Sequence, residues 1–354
     1  MLKLKIMLFR NLVFLLLLFI SSVKLHSQEP KKLFRSDSVL ELRITLPLKD
    51  VVSDTKERNS YASKLAYTLP DGTVFVHNIK IQVRGKTRAL KQICTFPPLE
   101  LNFNKEDTKN SIFKGQKKLK LVTHCKNENA YEEYIQKEYV VYKMYQQISP
   151  YSHRVRLCHV TYIDENKPGQ TTEHYAFLIE SINDLAKRND MSVFKDSIRN
   201  QEVLNKDNLD KLMLFEFMIG NMDWSVPLTH NMKLIVGKKG SLPLAVPYDF
   251  DYSGMVDTPY AVPPEESNIS DVKTRVFRGF CRHNGYQATI DYYNTIKDDL
   301  YNEVNSQSFL TDRSKNNMSK YLDSFYKNIN DPKYVDKKIN KACRVEHKHA
   351  YEYE

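Results

Sequence analysis

The 354-residue chain carries 53 Lys and Arg against 43 Asp and Glu, a formal charge of +10, with 41% hydrophobic residues and only 10 Gly. That apolar content suffices for a packed core and excludes a disordered or collagen-like polymer. No arginine-rich run and no basic motif interleaved with aromatics is present, which argues against a nucleic-acid partner.

The chain opens MLKLKIMLFRNLVFLLLLFISSVKLHSQ. Lys3, Lys5 and Arg10 precede an apolar run from Leu12 to Ile20, and small or polar residues follow. This is the build of a secretory signal peptide over 1–28, with cleavage near Ser27 or Gln28. An uncleaved anchor is the alternative, although the run falls short of the roughly 20 residues a membrane span needs. Four basic residues and no acid leave with such a leader, so the remainder is near about +6. Export to the periplasm, the outer surface or the medium is the expectation, with no integral membrane segment left in the remaining chain.

Val39 to Leu46 alternates in the manner of a half-buried strand. Ala66 to Thr68 and Val74 to Val83 read as a hairpin around Pro70-Asp71-Gly72. Leu99 to Phe103 and Leu119 to Val122 predict two further strands. From Tyr131 to Ile148 the apolar period becomes helical, and Pro150 stops it. Strands follow at Val155 to Ile163 and Tyr175 to Glu180. Leu209 to Ile219 is apolar nearly all round, a buried helix that Gly220 can end in a left-handed cap. After the loop NMDWSVPLTHN come short strands at Met232 to Val236 and Leu244 to Val246. The text from Ser270 onward reads as helical, with segments at Asp291–Val304, Met318–Ile329 and Tyr334–Cys343. The arginines of TRVFRGFCR read more readily as a helix with a basic face than as an anion site.

The chemistry gathers late. The loop after the buried helix presents Asp223, His230 and Asn231, and the following hairpin delivers VPYDFDYSG with Asp249 and Asp251 two apart. Carboxylates at that spacing repel unless a cation lies between them. Alone, such a pair is ordinarily a turn. Beside GNMDW and HN it matches the parts phosphoryl transfer needs. One carboxylate serves the attacking hydroxyl, and oxygen ligands hold a hard divalent ion. His230 by itself reads as a structural hydrogen-bonder, and Trp224 as a core residue.

The ordered series RGKTR (84–88), FPPLELNF (96–103), QKKLKLVTHC (116–125), YAFLIES (175–181), GNMDW (220–224), HN (230–231) and VPYDFDYSG (246–254) resembles the spore-coat CotH kinase family, and its exported members most closely. The resemblance implies an α+β, two-lobed atypical protein-kinase-like fold. A β-rich N-lobe would occupy 29–180 and a mostly helical C-lobe 181–354. It implies transfer of the γ-phosphoryl group of ATP to protein hydroxyls with Mg²⁺ or Mn²⁺. Matched position by position, Asp223 is the catalytic residue, and Asn231, Asp249 and Asp251 are the metal residues. The strand FPPLELNF lacks the lysine that family members carry there. Lys120 is the expected substitute, since Leu119 and Leu121 should face the other way. Arg84 is next, and Glu138 could pair the lysine. The missing lysine keeps two alternatives open: a pseudokinase-like binding protein, or a kinase for a small polyol or carbohydrate. Of Cys94, Cys125, Cys158, Cys281 and Cys343, the first two fall at one end of two neighbouring strands and could bond. Five unpaired buried thiols are the alternative.

Overall fold

The computed structural model describes residues 29–196 and 203–344, apart from 70 and 168. The predicted leader over 1–28 and Pro70 of the expected turn lie outside the described residues. Seven strands come from the first part of the chain: β1 (Leu40–Leu46), β2 (Tyr61–Thr68), β3 (Val74–Val83), β4 (Leu99–Phe103), β5 (Lys118–Val122), β6 (Val155–Asp164) and β7 (Thr171–Ile179). Each predicted strand is present within a few residues of its expected ends. β2 alternates because Ser63, Leu65 and Tyr67 turn inward while Ala62 and Lys64 turn out.

The expected two-lobed kinase-like architecture is not what these strands form. They close into a barrel in the order β1-β2-β3-β4-β5-β7-β6, with every neighbouring pair antiparallel except the last. β1 lies parallel to β6 along its whole length, from Leu40↔Cys158 to Leu46↔Asp164. That pairing removes both free edges, so the sheet wraps around its own core instead of lying open as half of a two-lobed molecule. Leu42, Ile44, Leu65, Ile81, Leu99, Leu101, Leu119, Leu121, Val160 and Leu178 fill the interior. α1 (Leu48–Ser53) follows β1 and buries Val51.

α2 (Asn129–Ile148) packs on the outside of the barrel against β6 and β7. Its Tyr139, Tyr142, Tyr145 and Ile148 join Val155, Leu157 and Phe177 in a second core, which runs on into the C-terminal helices without interruption. α3 (Ile182–Arg188) is capped by the Ser181 side chain, which accepts from Asp184 N–H. α4 (Lys206–Ile219) begins at Asn205, whose side chain accepts from Asn208 N–H, and ends at Gly220 with φ 68°. The left-handed φ is what calls for glycine here, and a side chain at Gly220 would also crowd the Tyr321 hydroxyl. β8 (Ser192–Phe194), β9 (Met232–Val236) and β10 (Leu244–Pro247) form a small separate sheet.

Beyond it, the predicted helix over Asp291–Val304 is two helices, α5 (Gln287–Thr295) and α6 (Lys297–Asn305), broken at Ile296. α7 (Asp312–Ile329) is longer than expected because Thr311 caps it, and α8 (Pro332–Val335) is a single turn passing into five π-helical residues. The predicted basic helix at TRVFRGFCR is extended loop. Its arginines tie that loop down: Arg275 donates to Met218 O and Tyr321 O, Arg278 to Met222 O, and Arg282 to Asp210. Cys94 bonds Cys125 as anticipated, Cys281 bonds Cys343, and Cys158 stays a buried thiol.

Candidate functional site

Two loops meet where α4 ends. Gly254 N–H donates to Gly220 O and Met255 N–H to Ile219 O, which fastens the turn after Asp251 to the cap of the buried helix. A side chain on Gly254 would strike Val272 O at 2.5 Å, so this close approach requires the glycine of YSG. The same seam holds Tyr248, whose N–H donates to Asn231 O. Asp223, Asn231, Asp249 and Asp251, separated in sequence, are thereby brought to one place.

Asp223 leads the exposed side. Its N–H is held by Asn221 Oδ1, and Asn221 in turn donates to the buried carboxyl of Glu216, which burial pushes up to about 8. Asn231 Nδ2 donates to Asp223 O at 2.8 Å and to Oδ2 at 2.9 Å. His230 Nε2 lies 2.7 Å from Oδ1, so both carboxylate oxygens are oriented. The side chains of Asp223 and His230 remain 37% and 49% exposed, which leaves the pair accessible to a substrate. Thr229 and Asn231 both have φ near +50°, a strained tight loop that aims His230 back at Asp223.

Behind this pair lies a group of carboxylates, with Asp251 and Glu138 buried and Asp249 half-buried. Asp249 has φ 70° and donates its N–H to the Tyr142 hydroxyl. Asp251 is buried, and its Oδ2 accepts from Tyr260 OH at 2.9 Å. Glu138, expected to pair a lysine, is a buried residue of α2 whose Oε1 accepts from Phe250 N–H at 3.3 Å. Among the described residues no ion pair joins it to Lys120. Burial and the charges of Asp251 and Asp249 hold the Glu138 carboxyl well above the usual range. Burial and Asp249 push Asp251 up to about 7.

The cation among these acids is Arg88, which sequence reasoning passed over. It is buried on a short turn over Thr87–Ala89 and donates to Thr123 O. Burial works against its charge, but Tyr260, Asp251, Glu138 and Asp249 outweigh that and hold its pKa above the ordinary value. The faint signal in sequence was an arginine six residues before a cysteine that anchors its turn.

Lys120 lies as expected with Leu119 and Leu121 in the barrel core and its own side chain outside. Its ammonium is 4.7 Å from the centre of the Tyr248 ring, and Lys233 of β9 is 5.6 Å from the same ring. Burial, then the charges of Arg84 and Lys233, bring Lys120 down to about 8, against the pull of Asp249 and Glu100. Arg84, Lys120 and Lys233 therefore form a cationic side to the site, and Lys233 had no distinguishing mark in sequence. Glu180 lies outside it, buried and paired with Arg188 at 3.1 Å. Trp224 is buried, as anticipated.

Among the described residues, no group of three or more His, Cys, Asp or Glu is already drawn together to hold a metal ion. The donor chemistry nevertheless fits a hard divalent cation. Glu138 Oε2 is buried with no hydrogen-bond partner, and its neighbours Asp249 and Asp251 are also oxygen donors. No helix among the described residues is long and apolar enough to cross a membrane. No protein-family model matches the chain, and no curated protein matches it.

Proposed function

We propose that the protein is an exported phosphotransferase that moves the γ-phosphoryl group of ATP to a protein hydroxyl, as the CotH resemblance implies. The barrel removes any support from the overall fold, so the reading rests on the site. The observation that carries it is the adjacency of three elements: a doubly oriented, accessible Asp223, a carboxylate group of half-buried Asp249 and buried Asp251, and a cationic side of Arg84, Lys120 and Lys233. Asp223 orients the attacking hydroxyl and takes its proton at a carboxylate oxygen. Asn231 and His230 fix the direction of that carboxylate. Lys120, Arg84 and Lys233 counter phosphate charge. Asp249, Asp251 and Asn231, with Glu138 behind them, would hold Mg²⁺ or Mn²⁺. Such an ion supplies charge neutralisation at the phosphates. Two disulfides, Cys94–Cys125 and Cys281–Cys343, support an oxidising, exported destination.

The test is transfer of label from γ-labelled ATP to a mixed protein acceptor, with the Asp223→Asn variant as comparison. Labelling should fall by about 10²–10⁴ in the variant. Equal labelling removes Asp223 from the chemistry.

One observation favours a second reading, a non-catalytic binding protein. Arg88 already supplies a cation to the carboxylates, which a resident metal would otherwise do. Calorimetry with ATP and Mg²⁺ separates the two, since the second reading requires no heat of nucleotide binding.

A further inference from the structure

Asp223 also forms part of the wall of a surface cavity of about 350 Å³. Its walls are Met222, Tyr252, Val262, Pro263, Pro264 and Val272. The charged residues that line it, Asp223 and Glu265, are both acidic. Val262 projects from the rim at 67% exposure, and Leu228, from the same loop as His230, is 57% exposed. Large aliphatic side chains are thus left in water on the cavity wall that Asp223 shares and on the loop that carries it.

The cavity belongs to a segment of unusual kind. From Tyr252 to Val272 the chain has no regular structure except the short turn Glu265–Ser267. Structureless stretches of more than about 12–15 residues inside a packed domain are uncommon and usually functional. This one is fastened down. Thr258 Oγ1 donates to Asp251 O and Tyr260 OH to Asp251 Oδ2, both at 2.9 Å, and Lys273 pairs with Asp257 at 2.7 Å. Pro263 and Pro264 fix their own φ, so the outer wall is held in shape before any ligand arrives.

We infer that this cavity is the acceptor-specificity pocket. It takes one bulky apolar side chain of an extended peptide, next to the hydroxyl residue presented to Asp223. The inference rests on the phosphotransfer reading for the role of Asp223 and names the substrate that reading leaves open. Size is the first reason: about 350 Å³ is at the small end of ligand cavities, room for a single large side chain. Chemistry is the second. A polyol or sugar needs polar groups converging on its hydroxyls, whereas these walls are aliphatic, prolyl and aromatic. Charge is the third, because two acidic residues disfavour Asp or Glu beside the acceptor.

The experiment uses the full chain and short fluorescent peptides with one serine. The flanking position on either side carries Leu, Phe, Ala or Asp. Two quantities are read: equilibrium binding by anisotropy, and label transfer from ATP. Leu and Phe peptides should bind on the order of tenfold more tightly than Ala peptides, with Asp peptides weakest. Val262→Asp, at an exposed position that folding tolerates, should erase the difference. Equal binding of Leu and Ala peptides overturns the pocket, as does a preference that survives Val262→Asp. Ranked binding without label transfer from any peptide keeps the pocket and removes the catalytic reading. Label transfer without ranking does the reverse.

Discussion

Lowering the pH from 7.5 to 5.0 should cost this protein stability through two buried histidines. His124 is fully buried and stacked on His174 with 3.6 Å between ring centres, and His153 is 6% exposed with Nδ1 against Glu180 O. Burial, aided by His174 and Arg88 at the first and by Lys120, Arg188 and Lys233 at the second, brings each imidazole down to about 3. Below pH 6.5 the unfolded chain takes a proton on each ring and the native state does not. Stability therefore falls as pH falls, by about 1.4 kcal/mol per unit per ring, until the native rings protonate near pH 3. Between pH 7.5 and 5.0 that is about 2 kcal/mol per histidine and about 4 kcal/mol for both. The raised carboxyls of Asp251 and Glu138 act in the opposite sense over this range, so the informative quantity is a difference between proteins. Urea unfolding at pH 7.5 and 5.0 supplies it for the unmodified chain, for His124→Phe, which preserves the stack, and for His153→Gln, which retains a donor. Each variant should lose about 2 kcal/mol less than the unmodified chain on acidification. An unchanged loss in both variants refutes the assignment of neutral buried rings.

Three further outcomes follow from the site and its supports. Arg88→Met removes the buried guanidinium near Glu138, Asp249 and Asp251 and its bond to Thr123 O, and should cost about 1–3 kcal/mol in urea unfolding; an unchanged midpoint contradicts the placement. Lys120→Met removes a cation that burial already penalises, so thermal stability should hold or rise. Nucleotide affinity measured by calorimetry should fall on the order of tenfold, and an unchanged affinity takes Lys120 out of the phosphate site. Replacing Cys94 and Cys125 together by Ser opens a link between residues 31 apart. The expected cost is about 3–4 kcal/mol on the chain-entropy account, and an unchanged urea midpoint shows that the bond constrains little.

Local structure was the legible part of this chain. Alternation located β1, turn residues the β2–β3 hairpin and short apolar runs the other barrel strands, and Gly220 marked the end of the buried helix, because all these signals lie within a few residues. The Cys94–Cys125 bond could be anticipated for the same reason, since β4 and β5 are neighbours in sequence and in space. Closure of the barrel could not. It depends on β1 meeting β6 across more than a hundred residues, and neither strand differs in pattern from one with an ordinary antiparallel partner. In the site, carboxylates were legible because two aspartates in DFD are conspicuous beside GNMDW. Glu138 was found through the kinase resemblance and for another partner, because nothing local says that the cation near it is Arg88 and not Lys120. Arg88 and Lys233 went unmarked because a basic residue on a short turn or at the start of a short strand is ordinarily solvated. The apolar pocket was hidden by its own composition, since Val262-Pro263-Pro264 reads as plain loop.

The parallel seam between β1 and β6 also dictates an order of assembly. Strands β1 to β5 can pair with their sequence neighbours as a meander as soon as they exist. The outer rim of β1 must then wait, unpaired, until α2 has been made and the β6–β7 hairpin swings in to zip both margins. Such distant pairing is slow, and a bare strand rim invites capture by another molecule. The interval between the fifth strand and the sixth is therefore the slow and exposed stage of folding, when the rim of β1 lies open to a wrong partner.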